Sequence, residues 1–143
     1  MPFDFAPERR PQLENQRLEN PRLENQRRGR LNYHAGLAAE DVAAMHYETT
    51  GYAVLERRWR GIGGEIDLIC RGADGFVFVE VKKADNFANA ACHLSFAQLN
   101  RIALAAEEYI GTVANAPLTP MRLDLAMVNG TGEIETLENL TLY

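Results

Sequence analysis

Several things are scarce in this 143-residue chain, and each scarcity excludes something. No apolar run approaches the ~18 residues of a membrane span, and the opening MPFDFAPERR lacks the charged-then-apolar order of a secretory leader, so the expected compartment is the cytoplasm. There are two cysteines, Cys70 and Cys92, with no CxxC and no histidine cluster beside them; they read as buried or half-buried thiols rather than a disulfide framework or a zinc site. His34 and His46 stand at no metal-ligand spacing with another candidate. There is no G-x-S-x-G, no Cys–His pair with an orienting acid and no phosphate-binding glycine loop. Positive charge is also short: the net charge is −5, and residues 63–143 hold five Lys and Arg against eleven acids. A nonspecific nucleic-acid binder normally presents a basic face. An acidic chain that acts on nucleic acid must therefore use its acids locally.

With 46% hydrophobic residues the chain is long enough for one domain with its own core. Residues 13–27 repeat LENQR-LENPR-LENQR, with Pro7, Pro11 and Pro21 around them. A period of five matches neither a helical stripe nor a strand, so residues 1–30 read as a disordered low-complexity tail and residues 31–143 as the domain. A helix is expected from about Asn32 to Thr50, with Ala38, Val42 and Met45 along its inner stripe and Gly51 closing it in the left-handed conformation. Tyr52 to Trp59 reads as a first strand. After Lys83 the segment ADNFANAACHL looks irregular, and a helix follows from Phe96 to Ile110, with Leu99, Ile102, Ala103, Ala106 and Ile110 facing inward. Ser95 and Gln98 have the spacing of a capping box. Met121 to Val128 is a fourth strand, and residues 133–140 hold a short edge strand. The order α-β-β-β-α-β gives an α/β fold, a mixed central sheet flanked by helices.

The most informative stretch is Gly63 to Lys83, GGEIDLICRGADGFVFVEVKK. Two β-branched and aromatic runs flank Gly72-Ala73-Asp74-Gly75, the punctuation of a tight hairpin. A turn symmetric about Ala73-Asp74 pairs each residue i with residue 147 − i, which sets Asp67 opposite Glu80, Glu65 opposite Lys82 and Ile69 opposite Phe78. Opposed residues have Cβ atoms roughly 4.5–5.5 Å apart, a distance at which like charges destabilise a sheet. Asp67 facing Glu80 therefore asks for a cation between them, and Mg²⁺ is typically held by one or two carboxylates plus water and substrate phosphate. Lys82, on the same strand face as Glu80, is placed to meet that substrate. An ordinary solvated hairpin with a Glu65–Lys82 pair is the alternative, but Ile69, Phe76 and Phe78 make the face apolar and the charges costly to desolvate. Arg57-Arg58-Trp59-Arg60 is a basic cluster able to meet phosphates.

These residues resemble the GEIDLI…FVEVK signature of the YraN-type family of small bacterial proteins, regarded as endonuclease-like and distantly similar to Holliday-junction resolvases. The resemblance covers about residues 32–140: Gly36 and Glu40 match the family's G-x-x-G-E helix with Ala39 at its second glycine, Gly51-Tyr52 and Trp59-Arg60 match its GY…NWR strand with Arg58 for Asn, and Arg122 and Asp124 match its RFD strand. It implies the restriction-endonuclease-like core of the PD-(D/E)xK nucleases. It further implies Asp67 and Glu80 as metal carboxylates, Val81 as a main-chain ligand, Glu40 reaching the metal shell from the first helix, and Lys82 as the group that orients the attacking water and stabilises charge on phosphate. Gln98 falls where the family usually has Lys. The sequence reads EVKK-Ala84 where relatives often read EVKTR, so Lys83, with Arg58 and Arg60, is left to contact the nucleic-acid backbone.

Two readings follow. The first is a Mg²⁺- or Mn²⁺-dependent DNA endonuclease, a resolvase-like phosphodiester hydrolase whose partner is DNA, branched DNA included, and which by analogy with resolvases forms a homodimer. The second is a non-catalytic nucleic-acid- or protein-binding module that retains the nuclease fold.

Overall fold

The computed structural model describes residues 21–113 and 118–140. The chain divides into two units, Met1–Ala35 and Gly36–Tyr143. The first helix, α1, spans Pro21–Thr49. It begins at Pro21 rather than near Asn32, so residues 21–30 are helical where the five-residue repeat suggested an unstructured tail. Leu, Glu and Arg, three of the five residues in every copy of the repeat, are good helix formers, and proline is favoured at a first helical position. Residues 1–20 of that tail lie outside the described residues. Gly51 closes α1 at φ +101°, and the Tyr52 amide reaches back to the Tyr47 carbonyl at 2.9 Å, the left-handed cap expected there.

The inner stripe of α1 is displaced by one position from Ala38, Val42 and Met45. Ala39, Glu40, Ala43, Ala44 and Tyr47 are buried, while Met45 points out. Alanines at i and i+4 let the helix lie close on the sheet, and the hydrophobic bulk comes from the sheet side, so Met45 is not needed inside.

Five strands form one sheet in the order β1-β2-β3-β4-β5: Ala53–Arg60, Glu65–Gly72, Gly75–Lys83, Met121–Val128 and Ile134–Leu137. β3 and β4 are parallel and the other neighbours antiparallel, which is the mixed sheet expected. The β2–β3 hairpin has the register derived from its turn, with Ile69 opposite Phe78 and Leu68 opposite Val79. Gly75 sits at φ +133°, and a Cβ there would collide with the Pro120 carbonyl that receives the Phe76 amide, so only glycine fits. Between β3 and β4 run α2 (Phe87–Cys92), in the segment that looked irregular, and α3 (Phe96–Ile110), with the expected limits and the expected Ser95–Gln98 capping box.

Alternation splits the core into two layers. On one face Leu68, Cys70, Val77, Val79 and Ala126 pack against Ala43, Ala44 and Tyr47 of α1. On the other Ile66, Ile69, Phe76, Phe78 and Leu123 pack against Ile102, Ala105, Ala106 and Tyr109 of α3. The buried stripe of α3 therefore runs through Ala105 and Tyr109 as well as Ile102 and Ala106, with Leu99, Ala103 and Ile110 only partly covered.

One carboxylate is locked into this core. Asp124 of β4 is 1% exposed, and its Oδ2 accepts the Tyr47 hydroxyl at 2.8 Å and Arg122 Nη2 at 3.2 Å. Its Oδ1 accepts Arg122 Nε at 3.1 Å and the Asn139 amide at 3.0 Å. Burial, and then the Asp124 charge, push the Tyr47 hydroxyl well above its ordinary range, so it stays a donor. A buried carboxylate so furnished with donors holds α1, β4 and the C-terminal segment together. Removing one partner of a buried pair costs about 3–5 kcal/mol, and removing a hydrogen bond to a charged group about 1.5–3 kcal/mol. Urea unfolding should accordingly show a much larger loss of stability for Asp124→Ala than for Tyr47→Phe, with both folded in water at low temperature.

Candidate functional site

The site is built around an irregularity in β2. Both of its pairings lapse at Asp67: the ladder with β3 ends at Leu68 opposite Val79, and the ladder with β1 skips the Arg58 and Asp67 positions between Arg57–Leu68 and Trp59–Ile66. Arg58 lies at φ +53°, in the left-handed region that costs a non-glycine residue energy. The face alternation breaks at the same point, since Ile66 packs in the α3 layer but Leu68 in the α1 layer, although residues two apart on a regular strand share a face. Freed from regular pairing, Asp67 takes a main-chain donor with its side chain: the Val81 amide donates to Oδ2 at 2.8 Å.

This places Asp67 against Glu80, at the position the hairpin register assigned, close enough for a hydrogen bond between the two side chains. Glu80 is 9% exposed and is approached by Lys82 Nζ at 3.5 Å, so the strand-face relation between Glu80 and Lys82 is realised as an ion pair. Glu40 enters from α1, 6% exposed, near enough to Asp67 to act on its charge. Arg58 Nε holds it, at 2.8 Å from Oε2 and 3.2 Å from Oε1. Arg58, expected at a phosphate, is thus bound to Glu40 inside the cluster. Its strained backbone is the local means of aiming that guanidinium, a role that spacing alone could not show.

The remaining candidates lie further out. Arg60 pairs with Glu65 at 3.2 Å on the surface, and this replaces the Glu65–Lys82 pair that the register allowed. Lys83 is exposed at the end of β3. Gln98 is engaged in the α3 cap, where its Oε1 accepts the Ser95 amide at 3.2 Å and its own amide donates to Ser95 Oγ at 3.2 Å. It makes no hydrogen bond to Asp67, Glu80 or Lys82 among the described residues. Val81 contributes its main chain, the amide of which is given to Asp67.

The electrostatics follow from the geometry. Burial, then the neighbouring Glu80 charge and, more weakly, Glu40 push the Asp67 carboxyl up from 3.8 to about 7, against the Val81 amide, which favours the anion. Among the described residues no three His, Cys, Asp or Glu side chains already enclose a common point. What is assembled is a pair of oxygen donors with excess negative charge and a third carboxylate nearby. That donor set fits a hard divalent cation, for Mg²⁺ completes its shell with water and substrate phosphate rather than with a full protein cage. It does not fit zinc, which takes nitrogen and sulfur ligands in closed sites.

The fold and the site together define a small mixed α/β domain with a carboxylate–lysine cluster where two strands and a helix meet. Among the described residues no helix is long and apolar enough to cross a membrane. Residues 39–128 match the model of a family described as "Uncharacterised protein family UPF0102". A UPF0102 protein of Ruegeria pomeroyi is 49% identical over 112 residues, covering 78% of this chain and 91% of the relative. One of Cereibacter sphaeroides is 44% identical over 111 residues, covering 78% and 95%, and one of Dinoroseobacter shibae 43% over 117 residues, covering 82% and 87%. The chain belongs to this family, which is the YraN family that its hairpin signature resembles.

The raised Asp67 value sets a pH signature. The folded protein holds a proton at Asp67 that the unfolded chain gives up above 3.8, so this site's contribution to stability is full in acid and is lost as pH rises through about 7. In chelator, Asp67→Asn should melt several degrees higher than the parent at pH 8 and lose that advantage near pH 4, as read by thermal melts across pH.

Proposed function

We propose that the protein is a metal-dependent endonuclease that hydrolyses phosphodiester bonds in DNA, with Asp67 and Glu80 as the carboxylates that hold Mg²⁺ or Mn²⁺. The observation that carries this reading is the Asp67–Glu80 pair: a half-buried and a buried carboxyl group brought together, with Glu40 near them, where the pairing of β2 with both neighbours lapses. A protein gains nothing in stability from such an arrangement. Its use is to receive a cation.

The bound cation would supply Lewis-acid activation of water near neutral pH and neutralise charge developing on the phosphate. The chain's own groups do the rest. The Val81 amide fixes the Asp67 carboxylate in one orientation. Lys82, paired with Glu80 at 3.5 Å, carries an ammonium that turns toward a phosphate oxygen as the phosphate enters, adding electrostatic stabilisation where charge builds. Arg58 holds Glu40 aimed at the cluster, so Glu40 acts by position rather than as a free ligand.

The second reading, a binding module that retains the fold without turnover, draws on Gln98 and Arg58. Two of the polar groups expected at substrate are engaged within the protein, Gln98 in the α3 cap and Arg58 on Glu40. The readings part on metal and cleavage. Mn²⁺ should bind the parent and be lost in Asp67→Asn, and the parent should cut branched or single-stranded DNA in Mg²⁺ or Mn²⁺, with rates falling at least 100-fold in Asp67→Asn and in Lys82→Ala while the fold persists. Tight junction binding in chelator with no cleavage under any metal would establish the module instead.

A further inference from the structure

Beyond Lys82 the chain forms a concavity that Asp67, Glu80 and Glu40 do not line. β3 ends at Lys83, the Ala84 amide bonds to the Val128 carbonyl at 2.9 Å, and the chain turns into α2. Asn86 caps α2, its Oδ1 accepting the Asn89 amide at 3.3 Å, which commits the acceptor end of that side chain and leaves its NH₂ to donate. His93 closes the other end of α2. The hollow between them, about 310 Å³, is lined by Lys82, Lys83, Asn86, Asn89 and His93, with Asp85 as the acid in its wall.

Three features point to its ligand. Donors dominate the polar lining: two ammonium groups, two carboxamides and an imidazole against a single carboxylate, in a half of the chain that carries eleven acids to five Lys and Arg. Lys83 makes no side-chain hydrogen bond or ion pair among the described residues, and neither does the His93 ring, so these donors are not spent internally. The hollow is also continuous with the carboxylate cluster through Lys82, which lines it and contacts Glu80 at 3.5 Å. Several donors converging on one hollow suit a group with several acceptor oxygens and a negative charge, which is a phosphate.

We propose that this concavity seats a phosphate of the nucleic-acid strand adjacent to the one held at Asp67 and Glu80. It deepens the endonuclease reading and rests on it for the identity of the strand. The pocket fixes where along the backbone the reacting phosphate stops, because a strand anchored at Lys83, Asn89 and His93 can present only its neighbouring phosphodiester to Lys82 and Glu80.

The test is an NMR titration of the metal-free protein, following the His93 ring and the Asn86 and Asn89 side-chain amides, with inorganic phosphate and with a 5′-phosphorylated thymidine dinucleotide as probes. The dinucleotide should shift these signals saturably and at least tenfold more tightly than inorganic phosphate. Lys83→Ala and Asn89→Asp, both at exposed positions, should each weaken it about tenfold. Absence of a saturable shift at these groups overturns the proposal, and equal affinity for inorganic phosphate overturns the assignment to a strand. Cleavage assays on the same proteins separate the two readings. A protein that cuts DNA while Lys83→Ala keeps its KM retains the endonuclease function and loses this subsite; one that binds the dinucleotide here yet cuts nothing retains the subsite and loses the endonuclease.

Discussion

The Asp124 carboxylate is the constraint on which the rest of the structure depends. It receives Tyr47 from α1, Arg122 from its own strand and the Asn139 amide from the C-terminal segment, so three parts of the chain distant in sequence meet on one buried charge. Arg122 also donates to the Tyr52 hydroxyl at 3.0 Å, which carries the tie on to the start of β1. Tyr47 and Glu40 are seven residues apart, two turns of helix, and so lie on one side of α1. Locking Tyr47 to the sheet therefore also sets the azimuth of Glu40, and a helix rotated by one residue would swing that carboxylate away from Asp67.

The two buried acid systems contrast. Asp124 is furnished with donors on both of its oxygens. Asp67 is desolvated, with two acidic neighbours and one amide donor, and its proton affinity rises accordingly. The same residue type in the same sheet is supplied with four hydrogen-bond donors in one place and set beside two other acids with a single amide donor in the other. Perturbed carboxylates of the second kind cluster at functional sites. The strained Arg58 belongs to this system too, since its left-handed backbone directs the guanidinium that keeps Glu40 in place.

Much of this could be read before the fold was known, for physical reasons. The hairpin register was legible because Gly72-Ala73-Asp74-Gly75 leaves a two-residue turn little freedom, and continuing it one step past its last pair, Leu68–Val79, brings Asp67 to Glu80. The limits of α3 and β4 were legible from a capping box and from flanking prolines. The buried stripe of α1 was not, because Glu40 is stable inside only through Arg58, eighteen residues away, and no local pattern announces such a partner. The break at Asp67 was hidden for a related reason: it needs a positive φ at an arginine, which sequence statistics oppose. α2 was missed because six residues carry too short a period to see, although Asn86 at its cap was a usable sign.

The parallel pairing of β3 with β4 has a kinetic meaning. Antiparallel neighbours β1, β2 and β3 close through short turns and assemble early, whereas β4 reaches β3 only after the chain has passed through α2 and α3. β4 brings Asp124, and the Tyr47 hydroxyl that it receives was synthesised 77 residues earlier. Until that strand arrives, the polar ties of α1 to the sheet are the Arg58–Glu40 and Arg57–Asp41 pairs with β1, and the Tyr47 hydroxyl has no carboxylate to donate to. One of the ties that seat α1 thus spans 77 residues of chain, so a chain interrupted before β4 would keep the Arg58–Glu40 pair and the β2–β3 hairpin but lack the Asp124 carboxylate that receives Tyr47.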